Sequence, residues 1–242
     1  MFFLFSGEGP TDLGHCVGHS EVCVGADYLH GPLALFVDRL VQAKHHYTPL
    51  ESGKFGFASK SALMNRASQM KTPRRMALPG KKRGKETMYF YNNARALARI
   101  AIDKEQELND SVVTILFRDS DRTASSGRGL WQEKRDSMTR GFLSEGFDRG
   151  VAMVPKPKSE AWILCSVKHQ YSHCNALEER SGNDNSPNSL KQELELQLGQ
   201  QVTRDLLCQM IADGQIDCLR IRMPSFLVFR DELERASEPT VP

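Results

Sequence analysis

Two short acidic motifs draw attention by residue type and by what precedes them. Gly7-Glu8-Gly9-Pro10-Thr11-Asp12 follows the apolar run Phe2 to Phe5, and Arg118-Asp119-Ser120-Asp121 follows the apolar run Val112 to Phe117. Both runs read as buried strands. In open α/β sheets, ligands bind outside the carboxyl ends of the strands. Two neighbouring parallel strands would therefore carry Glu8 and the Asp119/Asp121 pair to one crevice. Carboxylates crowded in this way repel one another and resist ionising together. A hard cation, Mg²⁺ or Mn²⁺, relieves that repulsion through oxygen ligands. The chemistry implied is metal-assisted phosphoryl transfer, and glycines on both sides of Glu8 let the backbone approach a phosphate closely. Asp12 reads as a further ligand or as a turn residue. Glu160 reads as an extra ligand or as a first-turn glutamate favoured by the helix dipole.

The elements that must position these acids alternate between strand and helix. Gly7 to Gly31 has no clear period and is expected to be a long loop. Pro32 suits the first position of a helix that continues through Val41. Residues 45 to 66 are ambiguous, with a strand possible near Phe55 to Phe57. Lys71 to Lys85 is a basic loop broken by prolines and glycines. Helix is expected from Glu86 to Asn109 and from Gly129 to Gly141, with Val112 to Phe117 and Gly150 to Val154 as strands. Val112 to Phe117 is continuously apolar, as in a sheet covered on both faces. A helix over Glu160 to Cys165 takes Ser159 as its cap. Ser181 to Ser189 is a polar linker, and helices follow at Leu190 to Leu198, Thr203 to Ala212 and Pro224 to Ala236. The pattern predicts a Rossmann-like α/β core with a mainly parallel sheet flanked by helices.

The motifs together resemble the Toprim domain of topoisomerases, primases, small ribonucleases and overcoming-lysogenization-defect nucleases. That resemblance implies a glutamate after the first strand, matched by Glu8, and an aspartate pair after a later strand, matched by Asp119 and Asp121, used with Mg²⁺. Pro157 to Trp162 resembles a third motif of small Toprim-like families found beside ATPases in bacterial defence loci, and by that likeness Glu160 joins the set. The resemblance implies a catalytic domain over residues 1–180, with a basic insertion at about 45–86, and a helical extension over 190–242. It implies a metal-dependent nuclease, working with a separate ATPase subunit because the sequence contains no Walker A motif.

Several residues outside this set have chemistry of their own. Lys71, Arg74, Arg75, Lys81, Lys82, Arg83 and Lys85 read as phosphate-backbone contacts or as a solvated loop. Lys158, beside Lys156, reads as a stabiliser of charge on the bound substrate or as a surface lysine. Cys165, His169 and His173 share helical spacing, and His15, Cys16, His19 and Cys23 form a second cluster. Neither has a standard zinc spacing, so all six cysteines are expected to be free thiols. Trp162 reads as core. The net charge of +2 and 40% apolar content point to a foldable domain with no strong general affinity for polyanions. The five-residue apolar N-terminus is short for a secretory leader, no run reaches membrane-span length, and a cytoplasmic location is expected. Association with nucleic acid is the expected partnership, and self-association is left open. Two alternatives stand: a haloacid-dehalogenase-like phosphatase using Asp119 and Asp121, and a non-catalytic Toprim-like scaffold.

Overall fold

The computed structural model describes residues 1–18, 20–70, 83–120, 130–167 and 173–239, with the side chains of 83–86 and 130 outside that description. The chain runs β1 (Phe2–Ser6), β2 (Gly14–Cys16), β3 (Val22–Val24), β4 (Tyr28–His30), α1 (Pro32–His45), β5 (Phe55–Ala58), α2 (Lys60–Gln69) and α3 (Arg83–Leu108). It continues through β6 (Val112–Phe117), α4 (Leu130–Leu143), β7 (Gly150–Met153), α5 (Ser159–Ser166), α6 (Leu190–Leu198), α7 (Arg204–Ala212) and α8 (Pro224–Ala236).

The fold is α/β, built on a mixed, mostly parallel five-stranded sheet in the order β3-β5-β1-β6-β7. β1 is parallel to both β5 and β6, β7 is parallel to β6, and the edge strand β3 is antiparallel. Strand periodicity sorts the side chains into two layers. Phe3, Phe5, Val113, Ile115 and Phe117 join one core with α1, α5 and the C-terminal helices. Phe2, Leu4, Val112 and Leu116 join the other with α2, α3 and α4. The chain leaves β1 for β5 on one side, then returns to β6 on the other. The strand order therefore reverses between β1 and β6, where crevices form at the carboxyl ends of such sheets.

The structure departs from the sequence expectations in several places. Gly7 to Gly31 contains β2, β3 and β4 instead of a plain loop. The segment read as an insertion, about 45–86, contains β5, whose Phe55 and Phe57 are buried beside β1; that part belongs to the sheet. The helices from residue 190 onward share the main core, where Trp162 packs against Phe226 and Phe229 and donates to Ser225 Oγ at 2.9 Å. Four of the six cysteines are paired, Cys16 with Cys23 and Cys165 with Cys174. The free-thiol expectation is corrected for these four, because the fold places the end of β2 beside β3, and the end of α5 beside a 3-10 turn (Cys174–Glu179); Cys208 and Cys218 are free. Those two bonds also remove thiolates that a zinc site would need. Among the described residues no helix is long and apolar enough to cross a membrane.

The β2–β4 hairpin fixes the loop that carries Asp12. Gly31 N donates to Leu13 O at 2.9 Å and Leu33 N to Asp12 O at 3.0 Å. The crossing is so close that a Cβ on Gly14 (φ +98°) would lie 1.9 Å from Leu29 O, and one on Gly31 would lie 2.4 Å from Asp12 O. Only glycine fits there. Gly14→Ala is expected to cost about 3 kcal/mol or more. Gly53→Ala, at a left-handed φ of +64° in open space, should cost about 1–2 kcal/mol. Urea unfolding of the two variants measures the difference, and equal destabilisation would contradict the close crossing.

Candidate metal centre

The acids arrive at the β1/β6 reversal from three directions. Asp12 comes from the glycine-clamped loop after β1, Asp119 from the end of β6, and Glu160 from the first turn of α5. Ser159, the first residue of α5, touches all three. Its backbone N–H donates to Asp119 Oδ1 at 3.2 Å, its hydroxyl donates to Glu160 Oε2 at 3.2 Å, and the same hydroxyl hydrogen-bonds Asp12. A hydroxyl has one proton to give, so it cannot satisfy Asp12 and Glu160 together. The expectation that Ser159 caps the helix is corrected here. Lys158 holds the cap position without a side-chain cap bond, since an ammonium has no acceptor to offer, and the Ser159 hydroxyl, inside the helix, is directed to the acids.

Burial first, and crowding after it, shift the acidity of these groups. Burial, with the neighbouring charge of Glu160, lifts the Asp12 carboxyl from 3.8 to about 6, against the lowering effect of the Ser159 hydroxyl. Asp119 is held well above the ordinary aspartate range, first by burial, then by the charges of Asp12 and Glu160. Lys158 is buried, and its ammonium lies 3.3 Å from Glu160 Oε1 and also binds Asp184. Burial works to lower its pKa, but Glu160 and Asp184 outweigh that and raise it. Of the two readings of Lys158, the surface lysine is excluded by its burial, and its ammonium is paired with Glu160 and Asp184 beside the acids. Asp184 belongs to the polar stretch 181–189, which lacks helix and strand but is tied to the site through this pair.

Glu8 takes a different partner from the one expected. Its carboxylate lies 3.3 Å from Nε of Arg118. Arg118 is fully buried, donates to Phe117 O at 2.6 Å and stands over the Tyr89 ring at 5.8 Å. Sequence reasoning passes over Arg118, and the available signal is its position: a cation directly after an all-apolar strand has to find a counter-charge. Lys134 is missed as well; it is buried, donates to Ser120 O at 2.6 Å and sits 5.3 Å from the Phe90 ring centre. Lys156 pairs with Glu178 and Glu179. Asp121, Lys71, Arg74, Arg75, Lys81, Lys82, His19 and His169 lie outside the described residues, as do the side chains of Arg83 and Lys85. The basic-stretch reading and the Asp119/Asp121 phosphatase pairing therefore fall outside the described residues.

Among the described residues no three His, Cys, Asp or Glu side chains already enclose a cation-sized point. The donor set nevertheless suits a hard ion. Mg²⁺ is held by one or two carboxylates, with water and substrate oxygens completing its shell. Asp12 and Asp119 offer two sets of oxygen donors, each raised in pKa by burial and by neighbouring acids.

The raised acids set the sign of a pH effect. The folded chain keeps protons on Asp12 and Asp119 that the unfolded chain releases near the ordinary value of 3.8. Metal-free stability should therefore fall as pH rises from about 4 through about 6. Asp119→Asn should raise metal-free stability at pH 7 by about 1–3 kcal/mol and flatten that slope in urea titrations across pH. A destabilised Asp119→Asn with an unchanged slope would count against the crowded cluster. Comparison with known proteins leaves the site to be read from its own geometry, since no family model, curated protein or solved structure matches the chain.

Proposed function

We propose that this chain is a divalent-metal-dependent phosphodiesterase of the Toprim type that acts on nucleic acid. The observation that carries the reading is the convergence of Asp12, Asp119 and Glu160 on Ser159 at the point where the strand order reverses. In this reading Asp12 and Asp119 hold the ion, with Glu160 at its edge. Mg²⁺ or Mn²⁺ bound there would supply Lewis acidity toward a phosphate oxygen and a lowered pKa for an attached water.

The chain's own residues do the rest. The Ser159 amide keeps Asp119 turned toward the crevice. Asp12 and Asp119, ionised once the cation shares their charge, cease to oppose each other. Lys158 holds Glu160 in place by its ammonium and leaves the glutamate's second oxygen to the Ser159 hydroxyl. Arg118 neutralises Glu8, so the Gly7-Glu8-Gly9 turn can lie beside an anionic substrate without repelling it. Glu8 is then a positioning residue that acts through Arg118, in place of the ligand role suggested by the family pattern. A separate ATPase subunit stays within the proposal on sequence grounds alone.

Two measurements bear on this. Mn²⁺ at about 100 times its Kd should raise Tm by roughly 5–10 °C, and the increment should vanish in Asp119→Asn. Cleavage of labelled DNA and RNA oligonucleotides should require Mn²⁺ or Mg²⁺ and drop by about 10²-fold or more in Asp119→Ala. A wild-type chain whose Tm ignores both ions and which cuts neither polymer would remove the proposal.

A further inference from the structure

Five residues beyond Glu160 on α5, the Cys165–Cys174 disulfide forms part of the wall of a cavity of about 280 Å³. This is close to the lower bound of ligand-sized cavities, roughly 300 Å³. Arg220, Arg222, His173 and Asn175 also line it, and no described carboxylate does.

Local structure aims the two arginines at this space. An antiparallel bridge between Val167 and Ile216 and a hydrogen bond from Asp217 N to Ser166 O at 3.1 Å tie their segment to the end of α5. A 3-10 turn (Cys218–Arg220) follows, and the chain then extends through Ile221 to Met223. Ile221 and Met223 are fully buried, whereas Arg220 and Arg222 are exposed. That alternation puts both guanidinium groups on the solvent side of a fixed strip. Arg222 Nη1 donates to the carbonyls of Leu219 (2.7 Å) and Ile221 (3.2 Å), which holds the side chain without neutralising it. Neither arginine forms an ion pair with a described carboxylate, in contrast to Arg95, Arg118, Arg135 and Arg180.

Two guanidinium groups without a described carboxylate partner, beside a histidine and an amide around a cavity of about 280 Å³, match the planar bidentate recognition of phosphate. We infer that this cavity is a phosphate subsite, holding a backbone phosphate of the same nucleic-acid strand whose scissile linkage reaches the acid cluster. The inference rests on the phosphodiesterase reading for the strand's identity. Glu160 and Cys165 lie about 7.5 Å apart along the helix axis, a separation that a short oligonucleotide spans. Such a contact positions the strand without reading its sequence.

The test measures binding of a fluorescent single-stranded 12-mer, as DNA and as RNA, by anisotropy across a salt series. It uses the full chain carrying Asp119→Asn, so that no turnover intervenes. Adding Arg220→Ala and Arg222→Ala should weaken binding about tenfold at 0.1 M salt and reduce the slope of log K against log salt by about 0.7 for each phosphate that is no longer bound. Arg220→Lys with Arg222→Lys should restore the salt slope but only part of the affinity, because the bidentate geometry is gone. Unchanged affinity and slope in the alanine pair would overturn the subsite. Failure of the wild-type chain to cut either polymer would strike the phosphodiesterase reading alone, since this binding measurement needs no cleavage.

Discussion

The burial of carboxylates that also repel one another, at one end of the sheet, is the constraint on which the rest of this structure depends. Two unit charges about 5 Å apart at an effective dielectric near 20 oppose each other by about 3 kcal/mol, and the cluster contains more than two. Among the described residues, Asp12, Asp119, Glu160 and Asp184 are set against the ammonium of Lys158. Strongly shifted acids concentrate at functional sites. Here the destabilisation of the cluster is offset in the two cores, where nearly every side chain of β1, β6 and α5 is buried.

The scaffold holds each acid by a different device. Asp12 is fixed by backbone crossing, with Gly14 and Gly31 allowing an approach that no other residue would permit. Asp119 is fixed by the register of β6 against β1 and by the Ser159 amide. Glu160 is fixed by α5, whose Trp162 is locked among Phe226 and Phe229 from the last helix. The C-terminal helices thus reach the site mechanically, through the core, without contributing an acid to the trio. Each disulfide is also close in sequence to one of these acids: Cys16 follows Asp12 in the same loop and hairpin, and Cys165 lies near the end of the helix whose first turn carries Glu160.

Much of this is legible in the sequence, for physical reasons. Val112 to Phe117 and Phe2 to Phe5 can be read as strands because both faces of a parallel sheet are dry, and the acids after them can be placed at carboxyl ends by the same rule. Hidden from the sequence is which acid of the first motif joins Asp119 and Glu160. Glu8 and Asp12 are both acidic residues of one loop, and the choice is made by Arg118, which captures Glu8, and by the glycine crossing, which delivers Asp12. Ser159 looks like a cap because a serine before a helical run has that local preference; tertiary contacts redirect its hydroxyl. Phe55 to Ala58 stays ambiguous because four residues are too few to show a period, and the cysteine pairs depend on folds of the chain that spacing alone does not encode.

The central claim is that acids from separate parts of the chain share one hard cation at the β1/β6 reversal. Anomalous diffraction from a crystal soaked with Mn²⁺ tests it most directly. The account predicts an anomalous peak at the carboxyl end of the sheet, about 2.0–2.4 Å from carboxylate oxygens of Asp119 and Asp12, with water completing the shell. Well-ordered Asp12 and Asp119 with no peak between them, in a soak that saturates Mn²⁺ elsewhere in the lattice, would contradict it.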